Sequence, residues 1–334
     1  MKSTRKATAI ANANIALVKY WGKRDEKIVL PENSSISITL DALNTTTTIE
    51  FNEKQQKDTL KINGENISGE ELKKIIKHLD IIRVIAGTKL KARIESTNNF
   101  PKAAGLASSA SAFAALTLAA TTALGLKLEK KQLSIIARQG SGSASRSIYG
   151  GFVEWQRGEK EDGSDSYAYQ IVDEKYWPEI RVIVLQITEQ EKKVKSREGM
   201  KITKETSPLY KAWLETIEKD IKDIKQSIKE KDIELLGKTA QVNAIKMHAT
   251  AMTAWPTLIY WQPETIKILK EIIEMQEQGT KAYFTIDGGP QVKVICLEKD
   301  LQKILKKLSE IKEIQKTYVC KPGEEAKTIT KHLF

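Results

Sequence analysis

Apolar residues recur along this chain with two different spacings. In "IVLPENSSISITL" and "TTTTIEFNE" they alternate with polar positions, which reads as strands separated by polar turns such as "NGEN". The spacing then becomes helical in "LKKIIKHLDIIRVIAG", which Gly87 stops, and "KLKARIEST" alternates once more as a strand. An apolar helix is expected from about Ser108 to Leu124, ending at Gly125. The helix "KKQLSIIARQ" runs into the small-residue stretch "GSGSASRSIYGG", and the strand "GFVEWQRG" leads to a hairpin tip at "GEKEDGSDS". Beyond "EIRVIVLQIT", an apolar strand of the buried kind, the pattern is mostly helical. Ser207 and Pro208 signal the start of a helix through Lys229, and another covers about Asp232 to Ala251. The last part reads as strand "KAYFTID", glycine turn, strand "QVKVICL", helix "KDLQKILKKLSEI" and strand "IQKTYVC". This order of elements suggests an α+β second lobe.

At 334 residues the chain exceeds the size at which one core stays compact, so two lobes of roughly 150 residues each are expected. With 40% hydrophobic and 29% charged residues, and no apolar run near ~20 residues, it reads as a globular protein without a membrane span. Polar Asn and Lys interrupt "MKSTRKATAIANANIALVKYWGKRD" before a signal-peptide core forms, so a cytoplasmic location is expected. The two cysteines, Cys296 and Cys320, exclude a disulfide scaffold or a cysteine-cluster metal site. Buried thiols are expected, with a single bridge left open.

The net charge of +11 raises the question of nucleic acid. In "LETIEKDIKDIKQSIKEKDIELL", however, the lysines sit among acidic residues, as on a solvated helix face, and the excess suits a small polyphosphate substrate equally well. His78, His248 and His332 stand apart without metal-ligand spacing, and Trp255 and Trp261 read as core or lobe-interface residues.

Four stretches concentrate chemistry. "FPKAAGLASSASA" puts small residues at the mouth of a helix, where unsatisfied backbone N–H groups let an anion approach, yet it lacks the Gly-Lys-Ser/Thr of a Walker A loop. "KYWGKRD" gathers Lys19, Tyr20, Lys23 and Arg24, either a solvated basic turn or a clamp for phosphate oxygens. "GSGSASRS" offers hydroxyls and Arg146, whose guanidinium can grip a carboxylate. "KVKSREGMKIT" supplies Ser196, Arg197 and Met200 on what reads as a surface loop. Asp287, at a strand end before Gly288 and Gly289, is either a turn former or a site residue.

"ANIALVKYWGKRD" with "LPENSSISITLD", then "PKAAGLASSASA", "RQGSGSASRSIYGGFVEW" and "FTIDGGPQV" together resemble, in order, the mevalonate diphosphate decarboxylases. These belong to the superfamily of galactokinase, homoserine kinase, mevalonate kinase and phosphomevalonate kinase. The resemblance implies an α+β, two-lobed fold with the active site in the cleft. An N-terminal ribosomal-protein-domain-like lobe would span 1–183, with a phosphate-binding loop at 101–112, and a ferredoxin-like C-terminal lobe 184–334. It implies ATP and Mg2+ as cofactors and conversion of 5-diphosphomevalonate to isopentenyl diphosphate, CO2, ADP and phosphate. A homodimer is implied, with no nucleic-acid or membrane partner.

Residue by residue, the resemblance makes Asp287 catalytic at the tertiary hydroxyl with Lys19 beside it, and sets Arg146 on the substrate carboxylate. Tyr20, Lys23 and Arg197 would hold the diphosphate, Ser141, Ser143 and Ser196 would contact polar groups, and Met200 would pack. The backbone of Gly105, Leu106, Ala107, Ser108 and Ser109 would cradle the ATP phosphates, with the Ser109 hydroxyl at the metal. This chain has Asp-Gly-Gly-Pro-Gln where the family commonly has Asp-Ala-Gly-Pro-Asn, which leaves the carboxylate intact and bears on the adjoining backbone contact. A sister enzyme acting on the monophosphate, or a 3-kinase that stops short of decarboxylation, is the nearest alternative. The joint presence of Asp287, Arg146, Tyr20, Lys23 and Arg197 favours decarboxylation of the diphosphate. A basic nucleic-acid-binding module is the reading from another class; salt-dependent oligonucleotide binding without ATP turnover is its signature.

Overall fold

Two β-sheets, each carrying helices, organise the chain; the structure is a computed structural model that describes residues 5–100, 108–188 and 192–334. In the first lobe β1 (Lys6–Val18) leads through the small hairpin β2 (Lys23–Asp25) and β3 (Leu30–Pro31) into β4 (Ser35–Asn52). There follow β5 (Thr59–Ile62), β6 (Glu65–Ile67), α1 (Gly69–Ala86), β7 (Lys91–Asn98), α2 (Ser108–Ala123) and α3 (Lys130–Gly140). A 3-10 turn at Gly142–Ile148 then enters the hairpin β8 (Phe152–Trp155) and β9 (Ala168–Val172), with "GEKEDGSDS" at its tip.

Apart from Leu30 and Pro31, which form β3, the strand residues of the two early β-like runs belong to one strand, the 18-residue β4. One edge of β4 pairs with β1; the other is shared by β8 at Ser35–Ile38 and β7 at Thr45–Asn52. The polar interruption around Asp41 marks a change of partner, not a turn. Gly87, at φ +62°, closes α1 with its N–H on the Arg83 and Val84 carbonyls, as its position in the sequence indicated. α2 buries Ala110, Ser111, Ala114, Ala115, Ala119 and Ala120, small side chains that let its axis lie close to the sheet.

The second lobe opens with β10 (Ile180–Gln186), every residue buried. Helices α4 (Ser196–Thr206), α5 (Tyr210–Glu215), α6 (Ile217–Glu230), α7 (Ile233–Met252) and α8 (Pro263–Glu277) follow, then β11 (Tyr283–Thr285), β12 (Val292–Leu297), α9 (Glu298–Leu308) and β13 (Lys316–Cys320). The strands form an antiparallel sheet in the order β11-β12-β10-β13. The last strand, β14 (Lys327–Ile329), returns to pair with β1 in the first sheet. The expected boundary at 183/184 falls within β10, which lies wholly in the second sheet.

Two helical expectations change. "KVKSREGMKIT", read as a surface loop, forms α4, because Met200 and Ile202 pack on the core and Thr203 is buried, so tertiary contact stabilises a short helix. The helix expected from Ser207 to Lys229 is two helices separated at Thr216, while Ser207 Oγ accepts from the Leu209 N–H at 3.3 Å. Asp232 caps α7, its carboxylate accepting from the N–H groups of Glu234 and Leu235.

A single buried cluster joins the lobes, from Ile15, Ile36 and Phe152 on the first to Ile224, Leu236 and Tyr283 on the second. Cys296 is in register with Arg181 and Cys320 with Val182, adjacent residues of β10. The thiols therefore sit on opposite faces of the sheet with a strand between them, and both are free and buried, which closes the question of a bridge. Among the described residues, no helix is long and apolar enough to cross a membrane.

Candidate active site

A cavity of about 460 Å3 opens between the lobes. Its lining includes Lys19, Tyr20, Lys23, Ser108, Ser109, Ser141, Ser143, Arg146, Ser196, Arg197, Met200 and Asp287. The candidate residues named from the sequence are thus brought to one place, except Arg24, whose guanidinium turns to the carbonyls of Arg157, Gly158 and Lys160, and Gly105, Leu106 and Ala107, which lie outside the described residues.

Lys19 directly follows β1 and is 2% exposed. Its ammonium donates to Asp287 Oδ1 and to the Ala16 carbonyl, at 2.8 and 2.7 Å. Its peptide is held from both lobes, the N–H by Asn243 Oδ1 of α7 and the carbonyl by Asn33 Nδ2, each at 2.8 Å. Asn243 Nδ2 donates in turn to Asp220 Oδ2 at 2.7 Å, and Lys246 donates to the same oxygen at 2.6 Å. An N–H on one side and a carboxylate on the other fix which way the Asn243 amide faces.

Asp287 stands just past β11. Lys293 of β12 brings a second ammonium to 3.4 Å from its Oδ2, and the ring of His248 on α7 bonds the Asp287 carbonyl at 2.8 Å. A carbonyl only accepts, so His248 Nε2 carries the proton. Burial pushes this ring down to about 3, so it is a neutral structural donor at physiological pH.

The cavity wall carries seven Lys or Arg side chains and one carboxylate, Asp287, among the described residues. This imbalance explains opposite behaviour within one ion pair. Burial alone raises the Asp287 carboxyl, but Lys19, Lys293 and Arg146 outweigh it and hold the group well below the usual carboxylate range. Lys19 has one anion for company against Lys293 and Arg146, and burial with those cations lowers it to about 8. Burial and Lys293 lower Lys192 to about 8 as well.

Arg146, 2% exposed, is aimed by Ser35 Oγ at 2.6 Å and by Asn14 Oδ1, which takes both Nε and Nη2 at 3.3 and 3.2 Å. No carboxylate pairs with it among the described residues, and burial lowers it to about 10. The fork is thus oriented by neutral partners, and its charge is left for a ligand. The Tyr20 hydroxyl is buried without a hydrogen-bond partner among the described residues, a polar atom waiting for one. The ring stands edge-on to Trp155, with centroids 4.7 Å apart. Gly142 makes this seat: a Cβ there would lie 2.8 Å from both aromatic rings. Lys23 pairs with Glu26, and its burial lowers its pKa.

On the far wall, Ser141 Oγ lies 3.3 Å from Ser109 Oγ and 3.4 Å from Ser143 Oγ, a hydroxyl cluster at the first described turn of α2. Lys192 donates to the Gly288 carbonyl at 3.1 Å and to Ser196 Oγ at 3.2 Å. At the first departure from the family pattern, a Cβ at residue 288 would lie 2.6 Å from Lys192 Nζ and 2.9 Å from Ser196 Oγ, so a larger residue there would displace these two side-chain tips. Gln291, the other departure, accepts from the Ile187 N–H and donates to the Thr188 carbonyl, tying this turn to the end of β10.

Sequence reasoning passed over Lys192, Lys293, Asn14, Asn243 and His248. Lys192 lies in an ordinary-looking charged run and the two asparagines in regular elements, so none carried a local signal. Lys293 did carry one: a lysine inside the otherwise apolar "QVKVICL" is costly to bury without a partner.

A family model described as the diphosphomevalonate decarboxylase-like N-terminal domain matches residues 11–168, and one for the mevalonate 5-diphosphate decarboxylase C-terminal domain matches 182–332. Diphosphomevalonate decarboxylase of Ganoderma lucidum is 38% identical over 324 residues, 91% of this chain and 81% of that protein. The crystal structure of mevalonate diphosphate decarboxylase from Staphylococcus aureus is 41% identical, with a TM-score of 0.92 over 97% of this chain and 98% of that one. A structure in complex with MVAPP, AMPPCP and magnesium is 40% identical, with a TM-score of 0.91 over the same shares.

Proposed function

The chain belongs to the diphosphomevalonate decarboxylase family, enzymes of the mevalonate pathway that decarboxylate diphosphomevalonate at the expense of ATP, and from that premise we propose how its own residues carry the reaction. The observation that carries the proposal is the one carboxylate that the described residues bring to the cavity, Asp287, bonded to Lys19 and surrounded by a wall of cations. Such a wall suits a substrate with a diphosphate at one end and a carboxylate at the other.

Tyr20, Lys23 and Arg197 hold the diphosphate by charge-assisted hydrogen bonds, and Arg146, with Ser141 and Ser143, orients the carboxylate. Ser196 adds a polar contact and Met200 packing. Asp287 accepts the hydrogen bond of the tertiary hydroxyl and takes its proton as the oxygen attacks the γ-phosphorus of ATP, with ADP leaving. The carbon–oxygen bond then breaks and phosphate departs with its electron pair. The carbon–carbon bond to the carboxylate supplies the pair for the new double bond, releasing CO2. Lys19 holds the Asp287 carboxylate in its ionised form until the proton moves.

Among the described residues no group of three or more His, Cys, Asp or Glu could hold a metal ion. That suits Mg2+, which takes few protein ligands and leans on substrate phosphates and water. Ser109 would hold it, and Mg2+ would neutralise charge on the triphosphate. The resemblance also supports a cytoplasmic homodimer, to be checked by sedimentation of the purified protein.

The deciding experiment follows ADP and CO2 together, with ATP, Mg2+ and either 5-diphosphomevalonate or its monophosphate analogue. Equal release of both from the diphosphate is expected. ADP without CO2 would make this chain a kinase, and preference for the monophosphate would overturn the roles given to Tyr20, Lys23 and Arg197.

A further inference from the structure

The two oxygens of the Asp287 carboxylate have unlike surroundings. Oδ1 takes the Lys19 ammonium at 2.8 Å. Oδ2 is closed off from solvent and has no hydrogen-bond partner among the described residues; it faces the ammonium of Lys293, 3.4 Å away. The side chain as a whole is 24% exposed, so its exposed surface belongs to atoms other than Oδ2. Of the two oxygens, only Oδ1 can meet a ligand in the cavity.

Lys293 is built for this place. It lies on β12 between two neighbours, in register with Thr285 of β11 and Val184 of β10, and is 1% exposed. Its strand alternates, with Val292, Val294 and Cys296 facing one core cluster while Ile295, on the same face as Lys293, joins the cluster shared by the lobes. A lysine at the centre of a sheet is expensive to desolvate, and an apolar residue of equal volume would fill the position at lower cost. With Lys19 alone, the carboxylate could turn about its Cβ–Cγ bond and exchange its oxygens. A second ammonium on the opposite side removes that freedom.

We infer that Lys293 is a positioning residue, which holds Oδ2 of Asp287 toward the sheet so that Oδ1 is the oxygen presented to the reacting hydroxyl. The inference rests on the role given to Asp287 above. Besides Lys293, the groups facing Asp287 are Lys19 at the end of β1, Arg146 from the 3-10 turn, Lys192 beside Gly288, and the neutral His248 on α7 bonded to its carbonyl. None of these faces Oδ2 within hydrogen-bonding distance.

The test is Lys293→Met, which keeps an unbranched stem of similar volume and removes the charge. Expected are a fall in kcat of about tenfold or more, as for a misplaced reacting group, and KM values within about twofold for both substrates. Losing a cation makes Asp287 easier to protonate, so the acid limb of kcat, which reports the bound complex and not the free diphosphate, should move to higher pH. A merely structural role would leave that limb in place. Unchanged kcat with an unmoved limb overturns the inference. Should the methionine variant fail to bind diphosphomevalonate, Lys293→Arg decides. Turnover within about threefold of wild type with the original limb supports a role for the charge, and loss of turnover overturns it. Asp287→Asn, run alongside, separates the two readings. If it is active, the role of Asp287 itself fails; if it is inactive while Lys293→Met is normal, only the inference about Lys293 fails.

Discussion

Binding of a polyanion to this cavity should draw protons from solution, in an amount set by two lysines. Burial strips hydration from Lys19 and Lys192 and lowers both to about 8, with neighbouring cations adding to the effect. In the free protein at pH 8 each ammonium is then about half deprotonated; at pH 7 about a tenth of each is, and at pH 6 almost none. A bound diphosphate places negative charge among these groups and restores both ammoniums. The two lysines should therefore take up about one proton per site at pH 8, about 0.2 at pH 7 and close to zero at pH 6, where the half-protonated diphosphate instead gives protons up. The diphosphate is itself fully ionised at pH 8, since its last ionisation lies near 6, and does not confuse the count there. Isothermal titration of diphosphomevalonate at pH 8, in buffers of different ionisation enthalpy, gives the number as the slope of observed heat against buffer enthalpy. Lys192→Met should remove about half of it. The same ionisations act on turnover: Lys19 loses its ammonium as pH rises through about 8, so kcat/KM should fall on that side. A slope of zero at pH 8, or one that grows toward pH 6, would refute the account of the site as an unbalanced cluster of cations.

Three further outcomes are expected. Asp287→Asn should bind diphosphomevalonate normally and lose about 10²- to 10⁴-fold in kcat; near-normal turnover in the coupled ADP assay removes the base role. Asn243→Ala leaves the buried Lys19 N–H without its acceptor and takes a donor from Asp220, so urea unfolding should show about 2–4 kcal/mol less stability. A loss under about 1 kcal/mol would mean that water replaces the amide. Gly142→Ala sets a methyl 2.8 Å from the Tyr20 and Trp155 rings and should raise KM for diphosphomevalonate while leaving that for ATP unchanged, in initial-rate kinetics.

Most elements could be read along the chain, because the contacts that define a helix or strand lie within a few residues and leave a period in the sequence. The helix closed by Gly87, α2 and the buried β10 are cases of this kind. Where a neighbour far away decided, reading failed. β4 is a single strand because β8 and β7 share its edge, and α4 is a helix because Met200 and Ile202 find a core to cover.

The candidate site divides in the same way. Asp287, Arg146, Lys19 and the serine-rich turn stand in short stretches whose composition and family likeness mark them in the sequence alone. That Lys19 meets Asp287, 268 positions further along the chain, was decided by the packing of α7 against both β1 and β11. Lys293 reaches the carboxylate only because the register of β12 against β11 turns it to that face, and Asn243 reaches the Lys19 peptide only because α7 lies against β1. The sequence by itself determined most of the elements, the excess of positive charge and the residue types of the site. Tertiary structure decided which cations share one carboxylate, and so how each of them titrates, since Coulomb energy and desolvation depend on distance in space, not separation along the chain.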